Sequence, residues 1–307
     1  KGCNLTPYVD MNLEEISIVI SLGPNRERQI NQLLNSIQNA KKSELIKEII
    51  IVCDNSVNFS LINSKKNVII YKSPKHINIP EARNIGIKLS TENFLIFIDS
   101  DCILPKNYFK IISELKRDIY VGDFIQPKKS SIWAKMQCRQ DKNTLIRYID
   151  HNVITVLSCH FIIPKIIINK IGLFNEKTFI SDEREWGERA TKNGEIINYV
   201  PELFVYHEYS NRLIDMVKRR FWHGSGYHRF VNHDYHKSGK KNFKYWLNKY
   251  NESIIYLLKL EFYGFFIFLS ITSFLIGYYY GLIFLNRTDL RKEIKNMNPI
   301  KIKKYKY

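Results

Sequence analysis

Cysteines at metal or redox spacing are missing from this chain. Its five cysteines, Cys3, Cys53, Cys102, Cys138 and Cys159, are odd in number and form no C-x-x-C pair. That argues against a disulfide framework and against structural zinc, and fits a reducing, cytosolic setting. Glycine (13) and proline (9) are modest, which excludes fibrous and disordered classes. Internal repeats and low-complexity linkers are lacking. The first residues carry no apolar signal-peptide core, and the chain begins with Lys1 rather than Met, so its natural start stays open. No zinc-finger or RNA-binding signature accompanies the basic charge, so nucleic acid is not expected as a partner.

What is present is a chain of 307 residues with 45% apolar content, rich in Tyr (19) and Phe (18). That suffices for one large domain, or for a domain plus an appendage. The net charge of +17 suggests an anionic partner, either a phosphate-bearing substrate or an acidic lipid surface. Residues 212–249 and 287–306 are strongly basic, whereas the first half intersperses both signs. A merely solvated basic surface is the competing explanation.

Residues 16–22 (ISIVISL) are apolar and β-branched, and Gly23-Pro24-Asn25 bounds them, which predicts a buried strand and a turn. Ile30, Leu33, Leu34 and Ile37 recur at helical spacing. Residues 48–53 and 67–71 predict further strands, 80–90 a helix opened by Pro, 93–98 a strand and 105–115 a helix. Residues 119–180 are less regular, although 153–163 read as a buried strand or strand pair. A charged helix is expected over 182–192, then two short strands over 196–206 with a turn at Pro201. Continuously apolar strands alternating with helices predict an α/β fold, a mostly parallel sheet with helices on both faces. Ligands in such sheets bind beyond the carboxyl ends of the strands, where Asp54 and Asp99 fall.

Asp99-Ser100-Asp101 places two carboxylates at i and i+2 after an apolar strand. Hard oxygen ligands suit Mg²⁺ or Mn²⁺ bridging substrate phosphates. A lone D-x-D is a weak signal, but its context is specific. Residues 79–105 (IPEARNIGIKLSTENFLIFIDSDCILP) run from an Ala-Arg-Asn-Ile-Gly helix start through an apolar strand to D-S-D and Leu-Pro. Residues 16–26, 49–56 (IIIVCDNS), 181–189 (SDEREWGER) and 204–207 (FVYH) follow the same plan in order. Over about residues 14–230 the chain resembles the family 2 glycosyltransferases of GT-A fold. It departs from that pattern at Gly23-Pro24, at Cys53 and in the exchanged order of the two acids at Asp182-Glu183.

The resemblance implies roles residue by residue. Asp54 would bind the nucleotide base, usually uracil. Arg26 and Arg83 would contact the donor, Arg83 near its diphosphate, where a guanidinium can pair bidentately. Asp99 would lie near the ribose, Asp101 would hold the metal, and His207 would complete the metal shell, with Asp99 as a further ligand. Glu183 would be the catalytic base that takes the acceptor proton, with Asp182, one residue away, as the alternative. Trp186 would stack on an acceptor sugar or belong to the core. The implied reaction is a metal-dependent, inverting single displacement from a nucleotide-sugar donor, a UDP-sugar favoured, to a glycan, lipid-linked or other surface acceptor. A nucleotidyltransferase acting on a sugar phosphate is a second reading, although the Gly-rich nucleotide loop expected near the first strand is lacking. A non-catalytic sugar-nucleotide-binding scaffold at the membrane is a third.

The implied organisation is a catalytic domain over 14–210, its nucleotide part about 14–118 and acceptor part about 119–210, then a basic, aromatic helical region over 211–307. Within that region, Arg219, Arg220, His223 and His228 could meet phosphates or anionic headgroups. Residues 262–285 contain no charge over 24 positions. A helix of that length would just span a bilayer, lie on it, or pack in an oligomer. Membrane contact through 212–230 and 262–285, at the cytoplasmic face, is expected.

Overall fold

The structure is a computed structural model; it describes residues 16–62, 67–150, 156, 159–178, 181–232, 247–248, 251, 254 and 262–285. The basic tail expected over 287–306, and His228, whose side chain is not described, fall outside. Two compact units divide the chain. One comprises residues up to 130, 141–176 and 182–209; the other comprises 131–140, 177–181 and 210 onward.

The first unit is built on one sheet. In chain order its strands are β1 (Ile16–Leu22), β2 (Ile46–Cys53), β3 (Val68–Lys72), β4 (Phe94–Ile98), β5 (Cys102–Ile103), β6 (Ile119–Ile125), β7 (His160–Pro164) and β8 (Ile197–His207). The spatial order is β3-β2-β1-β4-β7-β6-β8-β5. Strands β3, β2, β1 and β4 are mutually parallel, so their carboxyl ends share one edge. Strand β7 runs antiparallel to β4 and β6, β6 is parallel to β8, and β5 is antiparallel to β8. This is the expected mixed, mostly parallel α/β sheet. β1 and β4 are buried almost throughout, as strands covered on both faces must be.

The helices of this unit are α1 (Glu27–Gln38), α2 (Ile79–Leu89), α3 (Tyr108–Ile112), α5 (Lys165–Ile171) and α6 (Asp182–Lys192); α4 (Ile132–Asp150) begins in the second unit. Helix α1 turns Ile30, Leu33, Leu34 and Ile37 inward, as their spacing predicts. The start of α2 is fixed by a capping box: the Asn78 side chain accepts from the Glu81 amide, and Glu81 accepts from the Asn78 amide, both at 2.9 Å. Gly86 lets α2 lie close on β1, because a Cβ there would come 2.2 Å from Val19 Cγ1.

Three expectations change. No turn forms at Pro201; β8 continues through it, and the register against β6 jumps from Gly122↔Val200 to Asp123↔Phe204. Proline lacks the ladder donor, and the extra residues are taken up as a bulge rather than a reversal. The less regular middle contains β6, α4 and α5. Of the strand expected over 153–163, the described part is β7, which starts only at His160.

In the second unit, α7 (Leu213–Asn232) packs with α8 (Phe262–Tyr280). Phe262–Ile283 is long and apolar enough, by length and composition, to cross a membrane.

Candidate active site

The Asp99-Ser100-Asp101 turn leaves the carboxyl end of β4 and is pinned from two sides. The Asp99 amide donates to the Cys159 carbonyl at 2.8 Å, and the Glu208 amide donates to the Asp101 carbonyl at 3.1 Å. The short β5 pairs Cys102 with His207. That register delivers the end of β8 to the turn, so His207 Nε2 lies 3.2 Å from Asp101 Oδ1. Arg26, just after β1, reaches Asp101 Oδ2 with Nη1 at 3.0 Å.

Among the described residues, Asp99, Asp101 and His207 form the group able to hold a metal ion, each offering a ligand atom within 4.8 Å of the others. Opposed ligands of a small divalent cation with bonds of about 2.1 Å stand about 4.2 Å apart. Two carboxylates and an imidazole at that spacing fit Mn²⁺ or Mg²⁺ by donor type.

Arg83 is the hub of the site. Buried on α2, it places Nη1 2.5 Å from Asp182 Oδ2 and 3.3 Å from Glu183 Oε2, with Nη2 3.6 Å from Asp99 Oδ1. The rings of Phe161 and Phe174 flank the guanidinium at 5.2 and 5.6 Å. Neighbouring Asn84 keeps α2 in place, donating to the Phe174 carbonyl and accepting from the Phe174 amide, both at 2.9 Å. Burial alone would lower the Arg83 pKa, but the facing Asp182, Glu183 and Asp99 carboxylates outweigh it and raise it. Arg83 therefore stays charged.

The two acids beside Arg83 differ. Asp182 is enclosed, while Glu183 keeps 23% of its side-chain surface open. Burial, joined by the Asp182 carboxylate, pushes Glu183 up to about 8 against the pull of Arg83. Burial also pushes Asp99 up to about 6, with Arg83 pulling down and Asp101 pushing up. Both acids open α6, behind Ser181 at φ 67°. The body of that helix is anchored by Arg189 donating to the Ile171 carbonyl at 2.8 Å and by Trp186 Nε1 donating to the Gly172 carbonyl at 2.8 Å. Trp186 is fully buried against Phe174. It belongs to the core and is closed to an acceptor sugar.

Asp54, at the carboxyl end of β2, stands in a cluster of its own. It accepts from the Ser56 amide at 3.0 Å, the Ser56 hydroxyl at 2.5 Å and the Ile77 amide at 2.9 Å, and faces His76 Nδ1 at 2.7 Å. Burial raises its pKa, but these donors and His76 prevail and hold it below the ordinary carboxylate range. Sequence reasoning missed His76; its only signal was a place between β3 and the α2 cap. It also missed His160. Burial draws His160 down to about 4, so it is neutral. It bonds Tyr108 Oη at 2.9 Å and the Asp123 carbonyl at 2.8 Å beneath Gly122, a structural position.

A mostly parallel sheet with an acid-bearing turn after its fourth strand, met by a histidine-ended return strand, is the arrangement expected from the resemblance to family 2 glycosyltransferases. Residues 19–175 match the family described as glycosyl transferase family 2. That is just over half of the chain, and the chain belongs to this family. Solved structures that the chain matches include TarS of S. aureus, at 17% identity over 72% of this chain and 40% of that one, TM-score 0.45. TarS 1–349 in complex with UDP-GlcNAc aligns at 17% identity over 72% and 67%, TM-score 0.46. GalNAc-T7 with UDP, GalNAc and Mn²⁺ aligns at 15% over 64% and 43%, TM-score 0.47. The chain thus spans 40% of the length of TarS. No curated protein sequence matches it.

Proposed function

We propose that this glycosyltransferase is metal-dependent and inverting, and moves a sugar from a UDP-sugar to a hydroxyl of a glycan, lipid-linked or other surface glycoconjugate. The observation that carries the reading is the Arg83 hub, which gathers Asp99 of the D-x-D turn and both acids of α6 around one guanidinium. Donor-side and acceptor-side carboxylates thereby share one small volume.

Glu183 is the general base. It removes the acceptor proton as the acceptor oxygen bonds to the anomeric carbon, while the bond to the diphosphate breaks and its electron pair leaves with UDP. Asp182 is tied more closely to Arg83 and less open, which supports its positioning α6 rather than meeting the acceptor. Arg83, with Arg26, faces the donor diphosphate as a bidentate cation. Asp54 faces the base and Asp99 the ribose. Asp101, Asp99 and His207 would hold Mn²⁺ or Mg²⁺; such an ion, when bound, neutralises charge on the diphosphate. The chain works in the cytoplasm at the inner membrane face, in contact through 212–230 and 262–285. The uncharged α8 supports that placement.

Titrating the purified chain with UDP, GDP and ADP, with and without Mn²⁺, tests the reading. UDP should bind most tightly, and only with the metal. Equal, metal-independent binding of all three would defeat it.

A further inference from the structure

We infer that α7 and α8 form one glycine-locked pair lying in the surface of an anionic bilayer, with one stripe of α8 sunk among the lipid chains. The inference rests on the membrane contact proposed above and decides its mode.

The lock is backbone to backbone. A Cβ on Gly224 of α7 would come 1.9 Å from the Phe274 carbonyl oxygen, and one on Gly277 of α8 would come 1.9 Å from the Phe221 carbonyl oxygen. Glycines facing each other's carbonyls allow this approach and nothing larger does. Ser273 Oγ adds a 2.6 Å bond to the Val217 carbonyl, and Arg220 and Ser270 both donate to Gln140 Oε1 at 2.9 Å. Met216 meets Phe266 at one end of the contact, and Phe221 meets Tyr280 at the other.

This pairing argues against a span. Helix α8 is apolar all round and by itself would suit a membrane core. Locked alongside, α7 would carry Lys218 and Arg219 to the same depth, where charged side chains are costly. In the interface plane the same pair is amphipathic, because α7 supplies the polar side that α8 lacks.

The stripe is specific. Phe262, Phe265, Ile276, Tyr279 and Ile283 are 52, 42, 58, 51 and 60% exposed. At 3.6 residues per turn the first four, all within α8, fall within an arc of roughly 100°, and Ile283 belongs to the π-helical turn Gly281–Leu285 that follows. The face toward α7 carries Phe266, Ser270, Phe274 and Gly277, all buried.

Charge selects the occupant. Residues 210–307 hold 19 Lys and Arg against 6 Asp and Glu, a net +13 of the chain's +17. Anionic headgroups attract such a region, whereas a second copy of it is repelled.

The test is flotation of the full chain with phosphatidylglycerol-containing vesicles and with phosphatidylcholine alone. Binding should need the anionic lipid and be released by alkaline wash. The exposed pair Phe265→Asp/Ile276→Asp should weaken it by about tenfold per residue, with thermal melting unchanged. If that variant melts early, Phe265→Ser/Ile276→Ser takes its place. Resistance to alkaline wash would overturn the inference in favour of a span. Self-association without vesicle binding, abolished by the same variant, would overturn it in favour of a dimer. UDP binding, measured in parallel, fails only if the glycosyltransfer reading fails.

Discussion

Replacing Arg83 by Met leaves the shape of α2 nearly intact but removes the guanidinium that faces three carboxylates. Arg83 and Asp182 are 7 and 3% exposed at the side chain, so solvent cannot replace the lost partner. Breaking a buried pair from one side costs about 3–5 kcal/mol, a large share of the roughly 5–15 kcal/mol that holds a domain folded. The loss should depend on pH. Without Arg83, which pulls both down, Glu183 and Asp99 rise further above their ordinary values, so the folded state binds more protons. Stability then falls as pH rises, and the variant should regain most of its loss on acidification towards pH 5. Adding Asp182→Asn should recover part of the loss at pH 7, since neutralising both partners is often near neutral in cost. Urea midpoints of the wild type, both single variants and the double variant, at two pH values, measure the coupling. A loss below about 1 kcal/mol, or strict additivity of the two changes, would refute the hub.

Glu183→Gln should lower turnover by about 10²–10⁴ while leaving UDP binding as it was. In the wild type, turnover should climb with pH toward about 8, because a protonated Glu183 cannot accept the acceptor proton; a rate flat down to pH 5 would contradict this. Asp101→Ala and His207→Ala should each abolish activation by Mn²⁺ in a metal titration, and full metal-dependent activity in Asp101→Ala would sink the metal assignment. Gly86→Ala should destabilise the fold by about 1–3 kcal/mol, because its Cβ would enter Val19. Val19→Ala should rescue it in thermal melting, and failure of the rescue would show the contact is not the cause.

Much of the α/β architecture was legible because strands covered on both faces are dominated by apolar residues: β4 is apolar throughout, and β1 and β2 each carry only two polar residues other than cysteine. The start of α2 was legible from Pro80, whereas the Asn78–Glu81 capping box that fixes it emerged only in the structure. The middle of the chain was harder. Strand β6 carries Gly122 and Asp123 within it, and β8 carries Pro201, so each reads as interrupted. Trp186 had two readings that composition cannot separate, and its burial decided for the core.

The sequence by itself determined where an acidic turn follows an apolar strand, which helix begins with two acids, and where 24 residues run without charge. Those are local properties, set by period, propensity and the chemistry of neighbours. The tertiary structure alone decided that Arg83 meets Asp182 across 99 residues of chain, that the β5–β8 register brings His207 to Asp101, and that His76 faces Asp54. It also decided that α8 is locked to α7 through two glycines, leaving one stripe outward. Such contacts depend on how the sheet orders its strands and how closely backbones approach, and no spacing along the chain records either.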